Sequence, residues 1–211
     1  MFDTTVTDDL LATTRAVRKR LDVDRAVDPA VVLECIALAQ QAPTGSNQQS
    51  WRWVVVTEPA TRAALADLYR QGCLAHLEDA VHTETNPQTR RVYESALGLA
   101  QTIERVPVLV IPCIERRFDR APLVVTASSF GSILPAAWSF LLALRSRGLG
   151  SVWTTAHLGQ EEAAAALLGI PETVTQVAMF PVAYTIGTEF RRAERPPPET
   201  VTYWEHWGNL R

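Results

Sequence analysis

The stretch Ala42-Pro43-Thr44-Gly45-Ser46-Asn47-Gln48-Gln49-Ser50-Trp51 constrains this chain more than any other. Before it, Val31, Val32, Cys35, Ile36 and Ala39 form one apolar helical face. After it, Trp51 to Val56 is an aromatic and β-branched run that predicts a strand. The chain passes from helix to strand through a loop crowded with hydroxyls and three side-chain amides. A plain connector needs one or two turn-formers. So many directional hydrogen-bonding groups suit an uncharged, polar, many-armed ligand; for this loop alone, a capped polar turn is the alternative.

The rest of the chain continues the alternation. Thr4 to Leu21 is polar and basic and predicts a short helix followed by a turn. Asp28 reads as a helix cap with Pro29 in the first helical position. Thr61 to Val81 predicts a helix with Leu65, Leu68 and Leu77 on one side. Residues 82–105 are polar and weakly periodic, partly helical at best, and are the expected place for a mobile lid. Val106 to Ile114 predicts a second strand and Arg116 to Ser128 an irregular connection. Ile133 to Leu144 is apolar nearly all round, which predicts a helix buried on every side, in a core or between subunits, and ended by Gly148. Leu149 to Thr155 predicts a third strand, Glu161 to Leu168 a short helix closed by Gly169, and Val174 to Ile186 a fourth strand broken at Pro181. The tail from Thr188 carries Tyr203, Trp204 and Trp207, aromatics that are expected to dock, with a second subunit as the natural candidate. The expected class is α+β, one sheet wrapped by helices, in a single domain over residues 1–211.

Composition narrows the function classes. At 211 residues, 47% hydrophobic and 20% charged, the chain can bury a sizeable core and is too apolar for disorder. A net charge of -3 gives no global attraction to nucleic acid or to an anionic membrane. No run approaches the roughly 18 apolar residues of a membrane helix. Met1-Phe2-Asp3 lacks the layout of a signal peptide, so a cytoplasmic protein is expected. Cys35, Cys73 and Cys113 lie far apart among apolar neighbours, which favours reduced thiols over a disulfide framework or a structural zinc.

Three further features bear on ligands. Arg15, Arg18 and Lys19 stand at i, i+3 and i+4 and, in a helix, repel one another across one face. A bound phosphate offsets that repulsion and accepts forked hydrogen bonds; a solvated basic face is the alternative. Thr154 and Thr155 close a strand, where sheets commonly present ligands and paired hydroxyls can meet a planar heterocycle. Ordinary β-propensity explains them equally well. Arg191, Arg192 and Arg195 precede Pro196-Pro197-Pro198, which stiffen the segment enough to hold a guanidinium, unless the segment is simply a solvated surface. No GxGxxG, Walker loop or GxSxG occurs, and His76, His82, His157 and His206 have neither metal-ligand spacing nor a nucleophile nearby. A chain furnished for a nucleotide but without an acid–base set leaves the chemistry to a cofactor. The sugar-like chain of a flavin nucleotide suits the amide-rich loop.

Taken in order, four motifs resemble the nitroreductase family of flavin proteins over roughly residues 10–200. They are Arg15-Ala16-Val17-Arg18, the Ala42-to-Trp51 loop, Gly148-Leu149-Gly150-Ser151-Val152-Trp153-Thr154-Thr155, and an arginine before prolines. The resemblance implies a mixed central β-sheet flanked by helices, an intertwined homodimer, and FMN at the dimer interface. It implies that Arg15, Ala16, Val17 and Arg18 form a phosphate-binding segment, with Arg195 as its late counterpart. Pro43, Thr44, Asn47 and Gln49 match the loop that contacts ribityl chain and ring, commonly from the partner subunit. Trp153, Thr154 and Thr155 match the strand end beside the isoalloxazine, Thr155 or Thr154 tuning the flavin through a hydrogen bond near its reactive nitrogen. The apolar helix from Ile133 to Leu144 matches the buried interface helix. No catalytic side chain and no metal is implied.

The chain departs from the family pattern at Thr14 and Ala16, where many members carry an arginine and a serine, and at Ser50, where proline is usual. The first two departures remove phosphate contacts, for which Lys19 is a candidate replacement. The implied activity is ping-pong oxidoreduction from NAD(P)H through FMN to an electron-poor small molecule, a nitroaromatic or a quinone. Within the superfamily the alternatives are a reductive dehalogenase-like or a flavin-consuming enzyme, with Tyr69, His76, Phe118 and Phe130 as pocket candidates or core residues. Outside enzymes, the alternatives are a non-catalytic FMN storage or sensing protein and an interaction protein with no cofactor.

Overall fold

Helix α1 (Thr4–Thr13) opens the computed structural model, which describes residues 3–211. Strand β1 (Leu21–Asp22), helix α2 (Pro29–Ala39) and strand β2 (Trp51–Val56) follow. Next come helices α3 (Pro59–Thr83) and α4 (Pro87–Ala100), strand β3 (Val108–Ile114) and helix α5 (Leu123–Ser146). Strand β4 (Leu149–Gly150), helix α6 (Glu161–Leu168) and strands β5 (Thr175–Gln176) and β6 (Phe180–Thr185) complete the elements. Three helices begin with the same local device, a polar cap followed by proline. Asp28 accepts from the amide of Ala30, Glu58 from that of Thr61, and Asn86 from those of Gln88 and Thr89.

The sheet runs β1-β6-β3-β2, with β4 also paired to β6 and β5 to β3. Every one of these pairings is antiparallel. The resemblance implies a mixed sheet; the strands of this one chain each return beside a neighbour running the opposite way, so the sheet it builds alone is antiparallel. Strand β3 is buried along its whole length and divides the core by alternation. Leu109, Ile111 and Cys113 face a cluster containing Leu65, Ala66 and Leu77 of α3 and Leu99 and Ala100 of α4. Val108 and Val110 face Cys35 and Ile36 of α2 and Phe140 and Leu144 of α5. Helices therefore cover both sides of the sheet.

Several expectations need correction. Residues 82–105 are largely helical: α4 packs along α3, a 3-10 turn spans Ile103–Arg105, and Leu99, Ala100 and Ile103 are buried. The irregular connection from Arg116 turns helical at Leu123, ten residues before the apolar run. Serines in that first half bond back onto α5, Ser129 Oγ to Val125 O and Ser132 Oγ to Ser128 O, both at 2.8 Å. Helix α5 is long and apolar enough, by length and composition, to cross a membrane; half of its most apolar window is buried inside the fold. Serines, a glycine and Pro135 interrupt it, so no unbroken apolar run marks it in the sequence.

The third strand pairs only at Leu149 and Gly150, with a separate bridge between Thr154 and Met179. The fourth divides into β5 and β6, and Pro181 lies inside β6, not at the break. Gly148 (φ 75°) and Gly169 (φ 66°) end α5 and α6 in the left-handed conformation that glycine adopts without strain.

Candidate functional site

The chain leaves α1 at Thr14 and lies against the end of β4, where Val17 N donates to Ser151 O at 2.8 Å. Gly150 permits this approach: a Cβ there would stand 2.6 Å from Thr185 Cγ2 and 3.0 Å from Val17. Between this segment and α5 runs a groove lined by Arg15, Ala16, Val17, Trp138, Arg145, Ser151 and Trp153. It continues past Leu11 and Thr14 to Arg192 and Arg195 in the tail. Four arginines (Arg15, Arg145, Arg192 and Arg195) line the groove, and no carboxylate does. Arg192 reaches Asp9 at 3.5 Å across exposed surface, a pairing worth little. Arg15 has no carboxylate partner among the described residues. Ser151 Oγ and Arg145 Nε are buried and make no hydrogen bond, which is costly for groups that nothing else satisfies.

Such a groove can hold a dianion at its arginines and a planar ring against Trp138 or Trp153. It gathers Arg15, Ala16, Val17, Trp153 and Arg195 from three distant parts of the sequence. Arg18 lies elsewhere, beside Tyr69, where burial pulls its guanidinium below the usual pKa against the opposing pull of the phenol. Burial pushes Tyr69 up to about 12. The Thr154 hydroxyl stands close to that phenol and is buried without a hydrogen bond that meets ordinary geometry. Thr155 is exposed at the start of a 3-10 turn, Ala156–Gln160.

Pro43, Thr44, Asn47 and Gln49 occupy a different place. Their loop is pinned to the middle of α5: Gly45 N donates to Ser132 Oγ at 3.0 Å, and Trp51 Nε1 to Ser132 O at 2.9 Å. Thr44 Oγ1 accepts from Gln49 N, and Gln49 Nε2 donates to Asn47 Oδ1. Ser46, Asn47 and Gln49 all have positive φ, between 49° and 54°, a conformation costing roughly 1–2 kcal/mol per residue. Ser132 and Arg145 are separated by about 20 Å along the helix axis. In one chain, Pro43, Thr44, Asn47 and Gln49 are not among the residues lining the arginine groove.

Sequence reasoning missed Trp138, Arg145 and Ser151 as groove residues. Arg145 carries a legible signal, as the sole charge in α5. Tyr69 belongs to the core, His76 packs edge-on to Tyr93, and Phe118 packs on Phe130. His157 is fully buried with neither ring nitrogen bonded, and burial pushes it down to about 4. Cys35 and Cys113 are buried free thiols pushed up to about 11 and about 12, and Cys73 is partly buried. Among the described residues no three His, Cys, Asp or Glu side chains gather as a metal site.

A sequence profile of the nitroreductase family matches residues 11–184. An NADH dehydrogenase of Thermus thermophilus is 27% identical over 92% of this chain and 95% of its own length. The iodotyrosine deiodinase of Drosophila melanogaster is 27% identical over 74% of this chain and 55% of its own length. The crystal structure of an iodotyrosine deiodinase bound to FMN and 3-iodo-L-tyrosine shares the fold, with a TM-score of 0.70 and 20% identity over 90% of this chain and 95% of that one. With 11–184 matched out of 211 residues, the chain belongs to the nitroreductase family.

Proposed function

We propose that this protein is an FMN-dependent oxidoreductase that takes reducing equivalents from NAD(P)H and passes them to an electron-poor small molecule such as a nitroaromatic or a quinone. The observation that carries the reading is the carboxylate-free groove in which four arginines meet two tryptophans. That donor set fits FMN: guanidiniums suit the phosphate, Ser151 Oγ is an unused polar atom, and the indoles suit a flat ring. Arg15 and Arg195 would hold the phosphate, and Trp153 would lie by the ring. When bound, FMN supplies the hydride exchange that links donor and acceptor in two half-reactions. The chain's own residues bind and orient; none is assigned as nucleophile or general base.

The amide-rich loop enters this reading through a second copy. Asn47 and Gln49 are exposed and strained, and neither lines the arginine groove. A homodimer packed through α2 and α5 would also cover Leu33 and Leu38 on the first helix and Leu134 and Trp138 on the second, all exposed in the single chain. Pro43, Thr44, Asn47 and Gln49 would then meet the partner's groove.

Likeness to two iodotyrosine deiodinases supports a second reading, reductive dehalogenation. Two electrons and a proton would replace a carbon–iodine bond by carbon–hydrogen and release iodide. Consumption of 3-iodo-L-tyrosine by the reduced, FMN-loaded protein favours it over nitroaromatic or quinone reduction. The first test of either reading is stoichiometry: after incubation with FMN and gel filtration, about one flavin per chain should remain, read from its visible bands. Protein that emerges colourless contradicts both.

A further inference from the structure

Thr14 and Ala16 leave the N-terminal side of the groove with few donors. The Thr14 hydroxyl donates to Leu10 O at 2.6 Å, which commits its one proton to the end of α1. Ala16 has no polar side-chain atom. Arg15 is the one cationic side chain that this segment turns into the groove. Across from Thr14, in the last turn of α5, stands Arg145. Its Nη2 lies 3.4 Å from Thr13 Oγ1 and 3.1 Å from Thr188 O, and its guanidinium carbon lies 4.7 Å from the centre of the Phe190 ring. Nε is buried and bonds to nothing. No carboxylate pairs with Arg145 among the described residues.

Phe190 also receives Arg20, whose guanidinium carbon lies 4.2 Å from the ring centre while Nε and Nη1 donate to Ile186 O and Glu189 O. One aromatic ring thus takes two cations, and a third, Arg15, shares the groove with one of them. Like charges gathered beside partly buried surface, with no acid among them, repel one another unless an anion sits between.

We propose that Arg145 is a phosphate-binding residue of this site, supplying from α5 the cationic contact that position 14 lacks. The inference rests on the FMN reading above and deepens it by naming the residue. Phe190 acts as a positioning residue, holding Arg145 against the start of the tail that carries Arg192 and Arg195.

The test compares FMN with riboflavin, which has the same ring and ribityl chain but no phosphate. Dissociation constants come from flavin fluorescence titrations of the intact protein. The unaltered protein should prefer FMN. Arg145→Gln should weaken FMN by about tenfold to a hundredfold and leave riboflavin within about twofold, while Arg145→Lys keeps most of the FMN affinity. Adding Thr14→Arg to Arg145→Gln should restore the preference for FMN, which a purely structural role for Arg145 would not allow. Equal weakening of both flavins, or no weakening of FMN, overturns the inference and leaves the FMN reading standing. If the unaltered protein binds neither flavin, the FMN reading falls and takes this inference with it.

Discussion

Arg15 and His157 meet different surroundings: Arg15 is half-buried on the groove wall, where an anion would complete it, and His157 is fully buried. Arg15→Gln should raise the FMN dissociation constant by about tenfold or more, the worth of a charge-assisted hydrogen bond, and titration by fluorescence quenching reads this directly. His157 is held neutral: folded, it titrates near 4, against an ordinary 6.5. Between those values the unfolded chain holds the extra proton. Stability is therefore fully present above about pH 6.5 and declines as pH falls towards 4, by at most about 1.4 kcal/mol per pH unit. Urea midpoints taken across this window should fall with pH in the unaltered protein and change less in His157→Leu. Equal slopes would mean that the imidazole is not the group responsible.

At the scale of elements, α3 and the turn after Thr155 meet where Gly72 passes the backbone of Ala156. A Cβ on Gly72 would overlap the Ala156 carbonyl oxygen, backbone that cannot swing aside. Gly72→Ala should cost about 1–3 kcal/mol and lower the Tm by roughly 3–10 °C in a thermal melt; an unchanged Tm would mean that the two elements are not packed as described. Elements with their own signals were legible in the sequence. Strand β2 spans Trp51–Val56 as expected, and Asp28-Pro29 starts α2. Helix α4 was hidden because its Asn86-Pro87 start precedes a polar, weakly apolar stretch whose burial comes from lying along α3. The third strand is short because its register, Gly150 opposite Ala183 and Thr154 opposite Met179, sets Val152 opposite Pro181, which has no N–H to donate. Arg145 went unread for a related reason: a lone cation in the last turn of a helix already has an explanation in the helix dipole. Only the fold shows it facing Arg15.

At the scale of the whole molecule, the amide-rich loop and the arginine groove meet α5 at separate points along its length. The arginines stand at the C-terminal end of α5 and the amide-rich loop at its middle, with exposed Leu134 and Trp138 between them. If the loop completes a partner's groove the protein is a dimer, and sedimentation velocity should give twice the 23.3 kDa chain mass at micromolar concentration. A monomer that nevertheless retains FMN would show that one chain completes the site. The most direct test of the oxidoreductase reading is to load the protein with FMN and mix it with NADH or NADPH in the absence of oxygen, following the visible absorption bands. The bands should bleach with one of the two donors and return when a quinone or nitroaromatic is added. Bands that persist with both donors would contradict that reading and leave a flavin-holding protein that does not turn over.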